Sequence, residues 1–192
     1  MRKNMALFAG LCGLVLLLWS CGKPKPPVPV LFKTLDDEQT GLHFTNKLTP
    51  TAQFNIFQYM YFYNGAGVGA GDFNNDGKID LFFSANQGEN KIFLNQGNLT
   101  FKDVTLQAQI PQDSGWNTGV SVIDINNDGL LDIYICKVGN YEVLHGKNEL
   151  LVCKGIKDGV PFYADKSRLR SITQFAVVLG RDKKGVCAIR QS

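Results

Sequence analysis

Residues 67–86 read GVGAGDFNNDGKIDLFFSAN, and residues 119–138 read GVSVIDINNDGLLDIYICKV. Set in register, Asp72, Asn74, Asn75, Asp76, Gly77 and Asp80 fall on Asp124, Asn126, Asn127, Asp128, Gly129 and Asp132, at a constant offset of 52. Downstream, Asn90-Lys91-Ile92-Phe93-Leu94 falls on Asn148-Glu149-Leu150-Leu151-Val152 at an offset of 58. The six extra residues lie in the loop around 139–147. Phe101-Lys102-Asp103 then resembles Tyr163-Ala164-Asp165. Each repeat reads as short apolar strands separated by Gly, Asn and Asp, with no apolar stripe at helical spacing, so the fold is expected to be all-β. A period near 50 residues with several strands per repeat points to propeller blades. Residues 31–165 hold about 2.6 such periods, so two to three blades of a partial β-propeller are expected.

The polar loops carry the chemistry. Asp72-x-Asn74-x-Asp76-Gly77-x-x-Asp80 and Asp124-x-Asn126-x-Asp128-Gly129-x-x-Asp132 place oxygen-bearing side chains at positions 1, 3, 5 and 9. Three such groups at alternating positions converge when the chain coils tightly, and Gly at position 6 permits the turn. The carbonyls of Lys78 and Leu130 at position 7 can add a backbone oxygen. An all-oxygen shell of this kind suits Ca²⁺, which takes six to eight hard ligands. Unneutralised, three carboxylates this close would repel one another. An EF-hand is excluded, because position 12 is Phe83 or Ile135 rather than a bidentate Glu.

These blocks resemble FG-GAP/VCBS repeats, the blades of integrin-α-like propellers with Ca²⁺ in a loop between adjacent strands. Gly41-Leu42-His43-Phe44, residues 61–68 (YFYNGAGV) and residues 90–97 (NKIFLNQG) are similar to bacterial secreted VCBS-repeat proteins related to cartilage acidic protein. The resemblance implies a calcium-stabilised, non-enzymatic propeller segment that serves adhesion or binds a protein or glycan. Asp72, Asn74, Asp76, Lys78 and Asp80 would hold one ion. Asp124, Asn126, Asp128, Leu130 and Asp132 would hold the other.

The rest of the chain places this body. Of 192 residues, 44% are hydrophobic and 19% charged, which excludes a highly charged disordered polymer. Only one stretch, Met5 to Trp19, is continuously apolar. It is too short for a comfortable membrane span and fits a signal-peptide core behind Arg2 and Lys3. Leu18-Trp19-Ser20-Cys21 resembles a bacterial lipobox, with Trp19 departing from the pattern. Residues 1–20 are then a lipoprotein signal peptide and Cys21 the lipidated residue. Residues 21–30, with four prolines after Cys21, form an extended tether. This implies an outer-membrane lipoprotein of a bacterial envelope, on its periplasmic or its surface face. Outside the leader, Cys136, Cys153 and Cys187 remain, and an oxidising compartment permits either a Cys136–Cys153 disulfide or buried free thiols.

Residues 166–192 break the pattern. They carry a charge of +6, against −5 on residues 21–165, within a total of +3. No third Asp-x-Asn-x-Asp-Gly loop follows at the expected spacing. Such a break suggests a basic tail read out of frame or a truncated fragment, although a genuine basic tail would suit an acidic partner. Two or three blades do not close a propeller, so further blades or self-association are expected.

Other signals are weaker. Residues 65–70 (GAGVGA) satisfy a dinucleotide fingerprint formally, but no helix can follow at Asp72-Phe73-Asn74-Asn75-Asp76-Gly77. The glycines are better read as allowing close strand packing. His43 and His145 sit in no hydrolase motif. Phe54, Phe57, Tyr59, Tyr61, Phe62 and Tyr63 are expected to pack in the core or along an edge rather than form a ligand platform. A second reading, an accessory domain of a polysaccharide-active enzyme, would need paired carboxylates. Glu89, Glu142 and Glu149 are the free candidates, and their spacing supports no pair. A third reading is a non-functional truncated product. The weak net charge gives no reason to expect nucleic-acid binding.

Overall fold

The computed structural model of the protein describes residues 31–112, 115–139, 141–166, 178–181 and 187–190. The expected signal peptide, tether and lipidated Cys21 lie outside these residues, as does most of the basic tail. The chain divides into two units, 1–34 and 35–192, and the second holds every strand among the described residues.

That second unit is nearly all-β. One turn of helix, α1 (Asp37–Thr40), is capped by the Asp36 carboxylate, which accepts the Glu38 N–H at 3.1 Å. It stops at Gly41, whose φ of 72° is left-handed. The first sheet is β1 (Val68–Gly71), β2 (Asp80–Phe83), β3 (Lys91–Gly97) and β4 (Thr100–Asp103), antiparallel and in chain order. The second is β5 (Asn117–Ile123), β6 (Asp132–Lys137), β7 (Glu149–Lys157) and β8 (Val160–Asp165), with the same order. β9 (Val178–Arg181) and β10 (Cys187–Arg190) form a separate antiparallel pair in the tail. Residues 31–67 contain no strand, so residues 31–165 carry two complete four-stranded sheets.

The sheets obey the repeat pair by pair. Phe93 faces Asp103 across β3–β4, and Leu151 faces Asp165 across β7–β8. Each third strand bulges at the same place, between Asn95 and Gly97 and between Cys153 and Gly155. Each is also headed by an equivalent asparagine. Asn90 accepts the Ala85 N–H at 3.0 Å, and Asn148 accepts the Lys137 N–H at 2.9 Å.

One apolar layer joins the sheets. Phe73, Phe82, Ile92 and Leu94 of the first repeat share a buried cluster with Ile133, Ile135, Leu151 and Tyr163 of the second. The innermost strands approach closely because alternate residues of β1 and its lead-in are glycine. A Cβ on Gly67 would stand 2.6 Å from the Val120 nitrogen, and one on Gly69 2.7 Å from a Val122 methyl. The close-packing reading of these glycines therefore holds.

The aromatic run divides. Phe54, Tyr59 and Phe62 are buried and pack with Trp116. Phe57, Tyr61 and Tyr63 are exposed, though Tyr61 and Tyr63 still meet the Tyr59 and Phe62 rings edge-on, so of the six only Phe57 departs from the packing expected. The segment makes only turns and bends, with no 2- or 3.6-residue period to hide one face, so the buried rings are those that gather around Trp116, with Leu48, Val138 and Leu144 against them.

The cysteines resolve against a Cys136–Cys153 bridge. Cys136 is disulfide-bonded, and Cys153 is a buried free thiol. Register explains this. Ile135 pairs with Glu149 and Ile133 with Leu151, so Cys136 and Cys153 lie far apart along the strands. They also face opposite sides, in different clusters. Burial pushes the Cys153 thiol pKa up. Native protein is therefore expected to leave Cys153 unalkylated by iodoacetamide until it unfolds. Labelling at the rate of a model thiol would contradict this placement.

Candidate functional site

Both polar loops join the first strand of a sheet to the second, as the repeat requires. In the first, Asp72 accepts the N–H groups of Asp76 at 2.9 Å and Gly77 at 2.7 Å. In the second, Asp124 accepts those of Asp128 at 3.1 Å and Gly129 at 2.8 Å. The position-5 carboxylate turns back on its own chain: Asp76 accepts the Lys78 N–H, and Asp128 that of Leu130, each at 2.9 Å. Position 4 is left-handed in both, with φ 56° at Asn75 and 58° at Asn127, a conformation asparagine tolerates. Gly77 and Gly129 follow at 83° and 82°.

Position 9 is the pin of each loop. Asp80 is fully buried; one oxygen accepts the Phe73 N–H at 2.9 Å and the other the Asn95 N–H at 2.7 Å. Asp132 repeats this with Ile125 at 3.0 Å and Cys153 at 2.8 Å. Each carboxylate ties its loop to the bulge of the third strand. A carboxylate oxygen has two lone-pair directions, so one accepted N–H leaves the other direction for a cation. Burial raises both pKa values, partly offset by these N–H bonds, and the other two loop carboxylates raise them further.

Asn74 stands at the joint. Its Nδ2 donates to the Gly159 carbonyl in the β7–β8 turn at 3.1 Å and to Asp76 at 3.3 Å. Its Oδ1 is buried and has no hydrogen-bond partner. Beside it, the Asn75 amide donates to the Gly129 carbonyl at 3.2 Å, so the first loop is fastened to the second.

The loops differ at position 7. Lys78 donates from Nζ to Asp76 Oδ2 at 2.8 Å. This bond lowers the Asp76 pKa and raises that of Lys78, with Asp80 and Asp72 adding to the rise. Leu130 supplies no cation at the matching position. Asn126 instead closes on its own loop, donating to Asp128 at 2.9 Å and accepting the Asp128 N–H at 3.0 Å.

Among the described residues, no three His, Cys, Asp or Glu side chains gather closely enough to hold a metal ion as they stand. The carboxylates face backbone N–H groups. The donors are nevertheless all hard oxygens, and the orphaned Asn74 Oδ1 is the group a cation would satisfy. The residues fit Ca²⁺ in chemistry, with Asp72, Asn74, Asp76, Asp80 and the Lys78 carbonyl around one ion. Asp124, Asn126, Asp128, Asp132 and the Leu130 carbonyl would surround the second.

The sequence did not disclose the polar joint at the opposite end of the sheets. There Asn46 and Asn86 exchange bonds at 2.7 and 3.0 Å. Asn86 donates to the Asn117 carbonyl at 2.7 Å, and Asn117 to Asn90 at 2.8 Å. Only the repeated Asn90/Asn148 pair signalled it. Nearby, Glu149 is buried and paired with Lys137 at 2.6 Å, so it is not a free carboxylate. Glu89 and Glu142 remain exposed.

Residues 72–135 match the family model of the FG-GAP-like repeat. The match runs from the first loop aspartate into β6, and the two four-stranded sheets are the partial propeller that such repeats build. Cartilage acidic protein 1 of Mus musculus is 36% identical over 69 residues, covering 36% of this chain and 11% of that protein. The chain thus matches about a tenth of that relative's length.

Proposed function

We propose that the two FG-GAP-like repeats form a calcium-stabilised, non-enzymatic segment of an envelope-anchored lipoprotein, and that this segment recognises a protein or glycan. The ions neutralise the loops so that flanking strands can pack, and the propeller is completed by further blades or by self-association. Anchoring rests on the lipobox-like Cys21 and the proline-rich tether.

The observation that carries the calcium reading is the buried, partnerless Asn74 Oδ1 inside a loop that already presents three carboxylates. Thermal melts of the purified chain test it. A ligand at 100 times its Kd stabilises by about 2.7 kcal/mol per site, so millimolar Ca²⁺ is expected to raise Tm by several degrees over EGTA. Superimposable curves would remove the calcium reading.

A further inference from the structure

The two loops share a sequence pattern but not a charge balance. In the first, the Lys78 ammonium is 2.8 Å from Asp76 Oδ2, an oxygen that a metal would otherwise take. In the second, Leu130 holds the matching position, and Asp128 meets only the neutral Asn126 amide, just as Asp76 also meets that of Asn74. The first loop is also fastened from outside, through Asn74 to the Gly159 carbonyl and Asn75 to the Gly129 carbonyl. The corresponding Asn127 makes no such bond among the described residues.

We infer that Lys78 serves the first loop as a built-in cation, so that this loop keeps its form without metal while the second depends on an external divalent ion. The ammonium is tethered two residues from the carboxylate it neutralises, so it is present at high effective concentration however little calcium is available. A divalent ion entering the first loop must displace it from Asp76. The second loop has three carboxylates and no ammonium of its own; only neutral amides meet it, those of Asn126 and, from the first loop, of Asn75. A divalent ion should therefore order the second loop at a lower concentration than the first, where it must displace Lys78. For the second loop this rests on the calcium reading above. For the first it stands without it.

Amide hydrogen exchange on the full chain separates the two. The reporters are the Asp76 and Gly77 N–H groups, held by Asp72, and the Asp128 and Gly129 N–H groups, held by Asp124. In EGTA the first pair is expected to exchange more slowly than the second. Lys78→Met should speed the first pair by about threefold, the scale of an exposed ion pair, and leave the second unchanged. Leu130→Lys should slow the second pair in EGTA by a similar factor. Added Ca²⁺ should slow the second pair at a lower concentration than the first. Unchanged exchange at Asp76 and Gly77 in Lys78→Met would overturn the inference, as would equal calcium midpoints for both loops. If neither loop responds to Ca²⁺, the calcium reading and the claim for the second loop fail, and the EGTA comparison still decides the role of Lys78.

Discussion

Replacing Asp80 by alanine is expected to destabilise the chain by about 3 kcal/mol, in EGTA as well as in calcium. The side chain is fully buried, and its two oxygens accept N–H groups from Phe73 and Asn95. Alanine leaves both donors without these acceptors, and an unsatisfied buried donor costs about 1–3 kcal/mol. Part of the loss is returned, because the native carboxylate is itself held at a cost in the interior, as its raised pKa records. Asp80→Asn keeps one acceptor and should lose roughly half as much. The contrast with Asp72→Ala is diagnostic. Asp72 holds two amides of an exposed turn, so its loss should be smaller and should chiefly weaken the response to calcium. Urea melts of the three variants in both conditions provide the check. An Asp80→Ala penalty seen only with calcium would mean that the residue acts solely as a ligand.

The second large effect is expected at Gly67. Gly67→Ala should cost about 3 kcal/mol, the upper end for overpacking, because the new Cβ would meet the backbone at the Val120 nitrogen and the Gly119 carbonyl carbon, 2.6 and 2.8 Å away. Backbone atoms in a paired strand cannot rotate aside, so relief requires the sheets to part. Gly119 is the same residue one repeat later, 52 positions on. A Cβ there would meet nothing within 4 Å. Gly119→Ala should be neutral, or stabilise by about 0.5 kcal/mol through the unfolded chain. Equal penalties at the two positions would show that the β1–β5 packing described here is wrong.

The Gly67–Gly119 pair marks a boundary of sequence reading. A repeat alignment treats the two glycines as equivalent, because it sees only their neighbours along the chain. Their difference lies in what packs across from them, and that is a property of the assembled sheets. The same limit hid the Asn46–Asn86–Asn117–Asn90 chain, whose members are spread over about 70 residues and follow no common period. The cysteines show it from another side. Composition permits a Cys136–Cys153 bridge, and only strand register puts the two on opposite faces and far apart.

Local chemistry, by contrast, was legible. Short apolar runs, Gly/Asn/Asp punctuation and the 52-residue offset determined an all-β chain of repeated four-stranded sheets, because strand formation and tight turns depend on residues near in sequence. The alternating oxygens and the position-6 glycine determined the shape of each loop for the same reason. Tertiary structure alone decided what each loop is fastened to. It placed Asp80 and Asp132 against third-strand bulges, Asn74 against the β7–β8 turn and Asn75 against the second loop. Two loops spelled almost alike therefore differ physically. The first repeat has a neighbour to grip and a lysine of its own to balance its charge, whereas Leu130 and Asn127 give the second neither.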